Sequence, residues 1–288
     1  MTARRDLERR GGFRAVSPAP GRLDEHAFAD ACASDPDEAL ALLGEMAGAV
    51  DPELRRLARR LAGRVMLRLA TPARPTPNGR PRLTRGRFFP DGDVDMDAGL
   101  DEVVGARATG RRPAATELPT VAFRPRGEAV ALVVDRSGSM GGAKLATAAL
   151  AAAAVAQRAG QRYSVVAFAG DATVVKALGT PRPPEAVVDD LLALRGHGST
   201  DLALGLEAAR AQLEPEPLAS RAVVVLSDCR HNGPGDPVGA ARWAQRLVVV
   251  APAGDAAEAS AFAAQTGGVL VEVAGPSDVP AALAGALC

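Results

Sequence analysis

A chain of 288 residues with 34 Lys+Arg against 34 Asp+Glu and 47% hydrophobic residues can build one large domain or two modest ones, and it carries no global basic field. These figures exclude a disordered acidic tail, a collagen-like repeat and a disulfide mini-protein, and they leave nucleic acid an unexpected partner. Cys32, Cys229 and Cys288 are far apart and form no CxxC pair, which points to a reducing compartment and away from a disulfide frame or a cysteine zinc site. No apolar core follows the first basic residues, as a secretory signal would need. The most apolar helical stretch, 145–156, falls well short of the ~20 residues that span a bilayer. The expectation is a cytoplasmic protein with no membrane partner.

Residues 1–33 mix Arg, Gly and Pro with little periodicity and are expected to be poorly structured. In 34–70 apolar residues recur at helical spacing, Leu40, Leu43, Ala47 and Val50, then Leu54, Ala58, Leu61, Val65 and Leu69, with Asp51-Pro52 as cap and first helical residue between the two runs. The second helix carries Arg55, Arg56, Arg59, Arg60, Arg64 and Arg68, a pattern usually read as a solvated face. Prolines throughout 71–90 deny that stretch a helix and mark it as a linker or extended arm, so the parts on either side are expected to separate. In 91–127 an acidic segment leads into a short helix ending near Arg107 and then a connector.

From 128 to 288 strand-like runs alternate with helical ones. Strands are predicted at 129–134, 163–169, 173–177, 222–226, 247–251 and 269–273. Helices are predicted at 144–158, 185–194, 202–213, 237–245, 256–265 and 279–287. Unbroken apolar runs such as AVALVV suit strands buried on both faces, so the fold class is α/β, a doubly wound and mostly parallel sheet of Rossmann-like kind, preceded by a small helical region. The close pair around Gly170-Asp171 reads as a hairpin and makes its second strand an antiparallel edge.

In such sheets ligands bind at the carboxyl ends of the strands. Three polar segments lie there: Asp135-Arg136-Ser137-Gly138-Ser139 after the first strand, Gly196-His197-Gly198-Ser199-Thr200-Asp201 before the Leu202 helix, and Ser227-Asp228 after the fourth strand. Hydroxyls with one or two carboxylates form an oxygen-only set suited to a hard divalent cation, Mg²⁺ or Mn²⁺, that keeps several waters. For any one residue alone, capping of the following helix explains it as well. The three segments together favour the metal.

The DxSxS of Asp135, Ser137 and Ser139, the threonine of a later Gly-rich segment and the aspartate after the fourth strand resemble the metal-ion-dependent adhesion site of von Willebrand factor type A domains, over about 128–288. The resemblance implies that Ser137, Ser139 and Thr200 bind the metal directly or through water, that Asp135 and Asp228 hold waters and orient the hydroxyls, and that a partner's Asp or Glu completes the coordination. Where family members often have Thr-Asp-Gly, this chain has Ser227-Asp228-Cys229-Arg230, so Arg230 is a candidate to pair with Asp228 or with the incoming carboxylate.

Three other candidates are weaker. Asp91, Asp93, Asp95 and Glu102 fall at EF-hand positions, but Met96 replaces the required glycine, and an acidic cap on the next helix is the better reading. Cys229, His231 and His197 lack a fourth zinc ligand at a sensible spacing. His197 alone is a poor warrant for a general base. With no GxxxxGK[ST], GxSxG or HExxH, a non-enzymatic binding module is expected; a Mg²⁺-dependent hydrolase or nuclease using the same site is the alternative. A helical N-terminal part, a Pro/Arg linker, the segment GDVDMDAGLDEVVGARATGRRP and a C-terminal type A domain resemble the bacterial partners of MoxR-like AAA+ ATPases and magnesium-chelatase D-type subunits. That likeness implies an adaptor for such an ATPase in complex maturation or cofactor insertion.

Overall fold

The protein is described from a computed structural model. It covers residues 1–71, 82–86, 93–114, 117–124, 128–136, 142–196, 198–216 and 221–287, with 82, 84–86 and 122–124 described by backbone alone. The chain divides into two compact units, Met1–Pro75 with Glu128–Cys288, and Thr76–Gly127.

In the first unit, helices α1 (Arg4–Leu7), α2 (Phe13–Val16), α3 (Glu25–Ser34), α4 (Pro36–Met46) and α5 (Pro52–Leu69) precede the sheet. The expectation of a poorly structured start fails here, because Leu7, Phe13 and Val16 are fully buried and anchor two short helical turns. Asp24, Asp35 and Asp51 cap α3, α4 and α5 by accepting backbone N–H bonds, and prolines open α4 and α5.

After a break comes the α/β fold proper: β4 (Ala129–Asp135), α7 (Gly142–Ala159), β5 (Tyr163–Phe168), β6 (Ala172–Lys176), α8 (Pro184–Ala193), α9 (Leu202–Leu213), β7 (Arg221–Leu226), α10 (Pro237–Ala241), β8 (Leu247–Pro252), α11 (Ala257–Thr266), β9 (Val269–Val273) and α12 (Val279–Ala286). The sheet order is β6-β5-β4-β7-β8-β9, parallel except for the β5–β6 pair. Each predicted strand and helix of 128–288 is present. α10 stops at Ala241, four residues short of expectation, because the chain turns tightly there with Ala244 N–H returning to Ala241 O.

Alternation along the strands builds two cores. Val130, Leu132, Val134, Val224 and Val250 face α7, α8 and α12, and Ala131, Val133, Val223, Val225 and Val249 face α9 and α11. The first core extends through α7 and α8 to α4 and α5, whose Leu40, Leu43, Met46, Leu54 and Met66 belong to it. The helical region expected to separate from the sheet is packed as its outer layer. Close approach makes this possible at Gly44 and Gly142, where a Cβ on either residue would overlap backbone of the facing helix.

The second unit is a small antiparallel sheet, β1 (Arg82–Gly86), β2 (Asp93–Val94) and β3 (Thr120–Arg124) in the order β1-β3-β2, with α6 (Leu100–Ala108). Part of the expected linker, Arg82–Gly86, is thus a paired strand, with Leu83 opposite Phe123. Residues 72–81 and 87–90 of the same expectation lie outside the described residues. The acidic segment does lead into a helix, and Asp95 Oδ1 accepts the Ala98 N–H (3.2 Å) in the turn before it. Asp93 is taken into β2, and Asp91 lies outside the described residues.

Candidate functional site

The carboxyl ends of β4, β5 and β7 meet at one edge because the strands are parallel and in register: Asp135 lies opposite Phe168, and Val134 opposite Leu226. Ser227, the first residue beyond β7, is thereby beside Asp135, and its hydroxyl donates to Asp135 Oδ2 at 2.7 Å. The same hydroxyl accepts the Cys229 N–H at 2.9 Å, so both of its functions are fixed. One oxygen of a half-buried carboxylate is held in a set direction by a neutral donor.

Thr200 reaches this edge by a different route. Asp201 N–H donates to Ala169 O (2.8 Å) just past β5, tying the start of α9 to the neighbouring strand. The Thr200 N–H donates to Asn232 Oδ1 at 2.6 Å, and its carbonyl accepts from the N–H groups of Asn232 and Gly233 at 3.0 and 3.1 Å. Gly233 is required there, since a Cβ would come 2.5 Å from the Asp201 side chain. Asp201, not Thr200, caps α9, accepting from Leu204 N–H at 3.4 Å. The Thr200 backbone is fully engaged, and among the described residues no hydrogen bond takes up its hydroxyl.

Asp228 accepts the Arg230 N–H on Oδ1 at 3.0 Å, a short turn that directs one carboxylate oxygen toward the following residues. The Arg230 guanidinium pairs with Asp255 instead, so the expected competition for Asp228 by that side chain is not seen. Arg136, buried, pairs with Asp171 on the β5–β6 turn. Asp135, Ser227 and Asp228 share a cleft of about 290 Å³ with Lys144 and Thr147 of α7 and apolar residues from the ends of β8 and β9.

Cys229 sits between these groups with a left-handed backbone (φ 59°). Burial, then the charges of Asp228 and Asp135, push its thiol up to about 12, so it stays neutral and is a poor metal ligand or nucleophile. His231 receives Leu202 N–H on Nδ1 (3.3 Å), and its Nε2 lies 2.8 Å from Gly235 O, an arrangement met by the neutral ring protonated on Nε2. Both ring nitrogens are spent on holding the loop. His197 and Cys288 lie outside the described residues.

Of the sequence-predicted metal residues, the structure places Asp135 and Asp228 on one cleft and Thr200 on the loop stapled to the adjoining strand; Ser137 and Ser139 lie outside the described residues. Among the described residues no three His, Cys, Asp or Glu side chains form a metal cage, so a cation here depends on hydroxyls and water as well as carboxylates. That donor set fits a hard cation: an oriented carboxylate at Asp135, a second at Asp228 and a hydroxyl at Thr200 that no described residue engages. Sequence reasoning missed Asn232, whose only signal is its place in a polar loop 32 residues from Thr200.

Residues 130–233 match the family model of the von Willebrand factor type A domain. Solved structures of similar fold include an aerotolerance-related membrane protein from Bacteroides fragilis, 17% identical over 56% of this chain and 98% of that one with a TM-score of 0.46. A von Willebrand factor type A protein from Catenulispora acidiphila is 19% identical over 58% of this chain and 43% of its own, with a TM-score of 0.45. The corresponding domain of the type V pili tip protein Mfa5 from Porphyromonas gingivalis is 13% identical over 54% and 91%, with a TM-score of 0.41. No curated protein matches the chain.

Proposed function

We propose that this chain, which carries a von Willebrand factor type A domain over residues 130–233, is a non-enzymatic protein-binding module that captures a partner's Asp or Glu through Mg²⁺ or Mn²⁺. The residues that would hold the cation are Asp135, Ser137, Ser139, Thr200 and Asp228. When bound, the cation supplies positive charge and exchangeable water positions. The Ser227 hydroxyl keeps Asp135 oriented, the Asn232 clamp presents Thr200, and hydroxyl ligands leave the positive charge only partly balanced. A carboxylate that replaces a water gains a charge-assisted contact that an amide largely forfeits. The observation that carries this reading is the Thr200 loop: its backbone is fixed by three hydrogen bonds while, among the described residues, its hydroxyl is left unengaged at the same sheet edge as Asp135.

The broader role we infer is that of a cytoplasmic bacterial adaptor working with a MoxR-like AAA+ ATPase, which rests on the resemblance of the domain order and the acidic segment. Among the described residues no helix is long and apolar enough to cross a membrane. The alternative, a Mg²⁺-dependent hydrolase or nuclease at the same edge, gains no support from His231, whose ring nitrogens are both committed.

Affinity capture from the native cell in Mg²⁺ and in chelator tests the reading. The expected result is a partner retained with Mg²⁺, released by chelator, and lost when Thr200 is changed to Ala or the partner's key carboxylate is neutralised. A partner held equally well in excess chelator would place recognition on another surface, and metal-dependent turnover lost in Ser137→Ala would favour the hydrolase.

A further inference from the structure

The eighteen residues of α5 contain six arginines and a single acid, Glu53. Two of the arginines are committed to the fold: Arg55 Nη1 donates to Ala49 O at 2.9 Å and Arg59 Nε to Ala47 O at 3.0 Å, satisfying carbonyls at the end of α4. The other four, Arg56, Arg60, Arg64 and Arg68, are exposed and recur at every fourth residue. They form one stripe about 18 Å long at 1.5 Å per residue.

Arg56 pairs with Glu53 at 2.6 Å, and Arg64 pairs with Glu25, which α3 brings in from outside the helix. Among the described residues neither Arg60 nor Arg68 has a carboxylate partner. Like charges one turn apart destabilise a helix, so the stripe is a local cost without a local return. Beside it, between α5 and α8, runs an open groove of about 620 Å³ lined by all of the arginines but Arg68, against two carboxylates, Glu185 and Asp189.

We propose that this groove docks an acidic peptide segment of a partner protein, with carboxylates about one helical turn apart. The guanidinium fork accepts carboxylates in a bidentate manner, and the Arg64–Glu25 pair shows the stripe already receiving one from another element. The Arg56–Glu53 and Arg64–Glu25 pairs are exposed and therefore readily exchanged for a partner's carboxylates, while Arg59 keeps Asp189 at 3.5 Å. A nucleic-acid strand fits less well, because no aromatic side chain among the described lining residues offers a base a surface to stack on. This surface is built from α5 and α8 and needs no metal.

The test is fluorescence anisotropy on the full chain with a labelled helical peptide of about twelve residues, long enough to span the stripe, carrying Glu at every fourth position. The Gln-for-Glu peptide and an oligothymidylate of equal charge serve as competing probes. The expected result is binding that weakens with salt, ignores EDTA, and falls at least about tenfold when Arg56, Arg60 and Arg64 are all changed to Gln. Should that variant melt early, Arg60→Glu alone, at an exposed position with no ion pair to lose, repeats the comparison. Unchanged affinity in a variant that melts like the parent, equal affinity for the Gln peptide, or tighter binding of the oligothymidylate would each overturn the proposal. EDTA insensitivity keeps the outcome separate from that of the metal edge.

Discussion

The Ser227 hydroxyl accepts from Cys229 N–H and donates to Asp135, so one small side chain orients the carboxylate without supplying a charge that would cancel it. Asp135, Thr200 and Asp228 were legible in the sequence because each adjoins an apolar strand or opens a helix in a fold where those ends converge. The Asn232 clamp was not, since a side-chain bond across 32 residues leaves no periodic trace. Nor was the environment of Lys176. This buried lysine on β6 donates from Nζ to Tyr163 O at 2.7 Å and lies over the Tyr163 ring at 4.1 Å. Burial, then Arg182, lowers its pKa from 10.5 to about 8. The unfolded chain therefore binds more protons than the folded one between about pH 8 and 10.5, and stability from this group rises with pH across that window. Cys229, raised from 9.0 to about 12, opposes it from about pH 9, and Tyr163, raised from 10.0 to about 12, from about pH 10, because their folded forms hold protons that the unfolded chain releases. Denaturant titrations at about pH 8 and pH 9 should show a change in the parent that is more favourable than in Lys176→Met by on the order of 1 kcal/mol. An equal change in both proteins would contradict the assignment.

α7 is Ala-rich, and residues on all of its sides are buried, including the unbroken run from Ala148 to Ala156. A helix without a polar face must be covered on both sides. The period of 34–70 revealed α4 and α5 but not where they dock. The close contact at Gly44 and Gly142 is what lets them do so. Removing α1–α5 would uncover the outer faces of α7 and α8 and discard the matching Leu40, Leu43, Met46, Leu54 and Met66. Each such side chain contributes about 1.5–3 kcal/mol by burial, together comparable to the whole stability of a typical domain. A fragment comprising 128–288 should therefore aggregate or lose its cooperative thermal transition. A soluble fragment that melts like the full chain would show that the outer helices are dispensable.

At the scale of the molecule, the sheet was the most legible part. Apolar runs of β-branched residues flanked by helical periods gave the strand and helix sequence, and the Gly170-Asp171 turn gave the antiparallel edge. The small sheet of the second unit was hidden because its strands are short, charged and embedded among prolines, so composition outweighed alternation. The start of the chain was hidden for a related reason: three large apolar residues, Leu7, Phe13 and Val16, anchor it without any sustained period. The proposed function rests on the edge where β4, β5 and β7 end. The cation proposed there is held with the help of Asp135, and calorimetric titration of Mg²⁺ into the parent chain and into Asp135→Ala is the decisive measurement. Saturable binding to the parent is expected, with none to the variant, and Mg²⁺ should raise the melting temperature of the parent alone, since a ligand bound only by the native state stabilises it. The same Mg²⁺ affinity in a folded Asp135→Ala protein would contradict it.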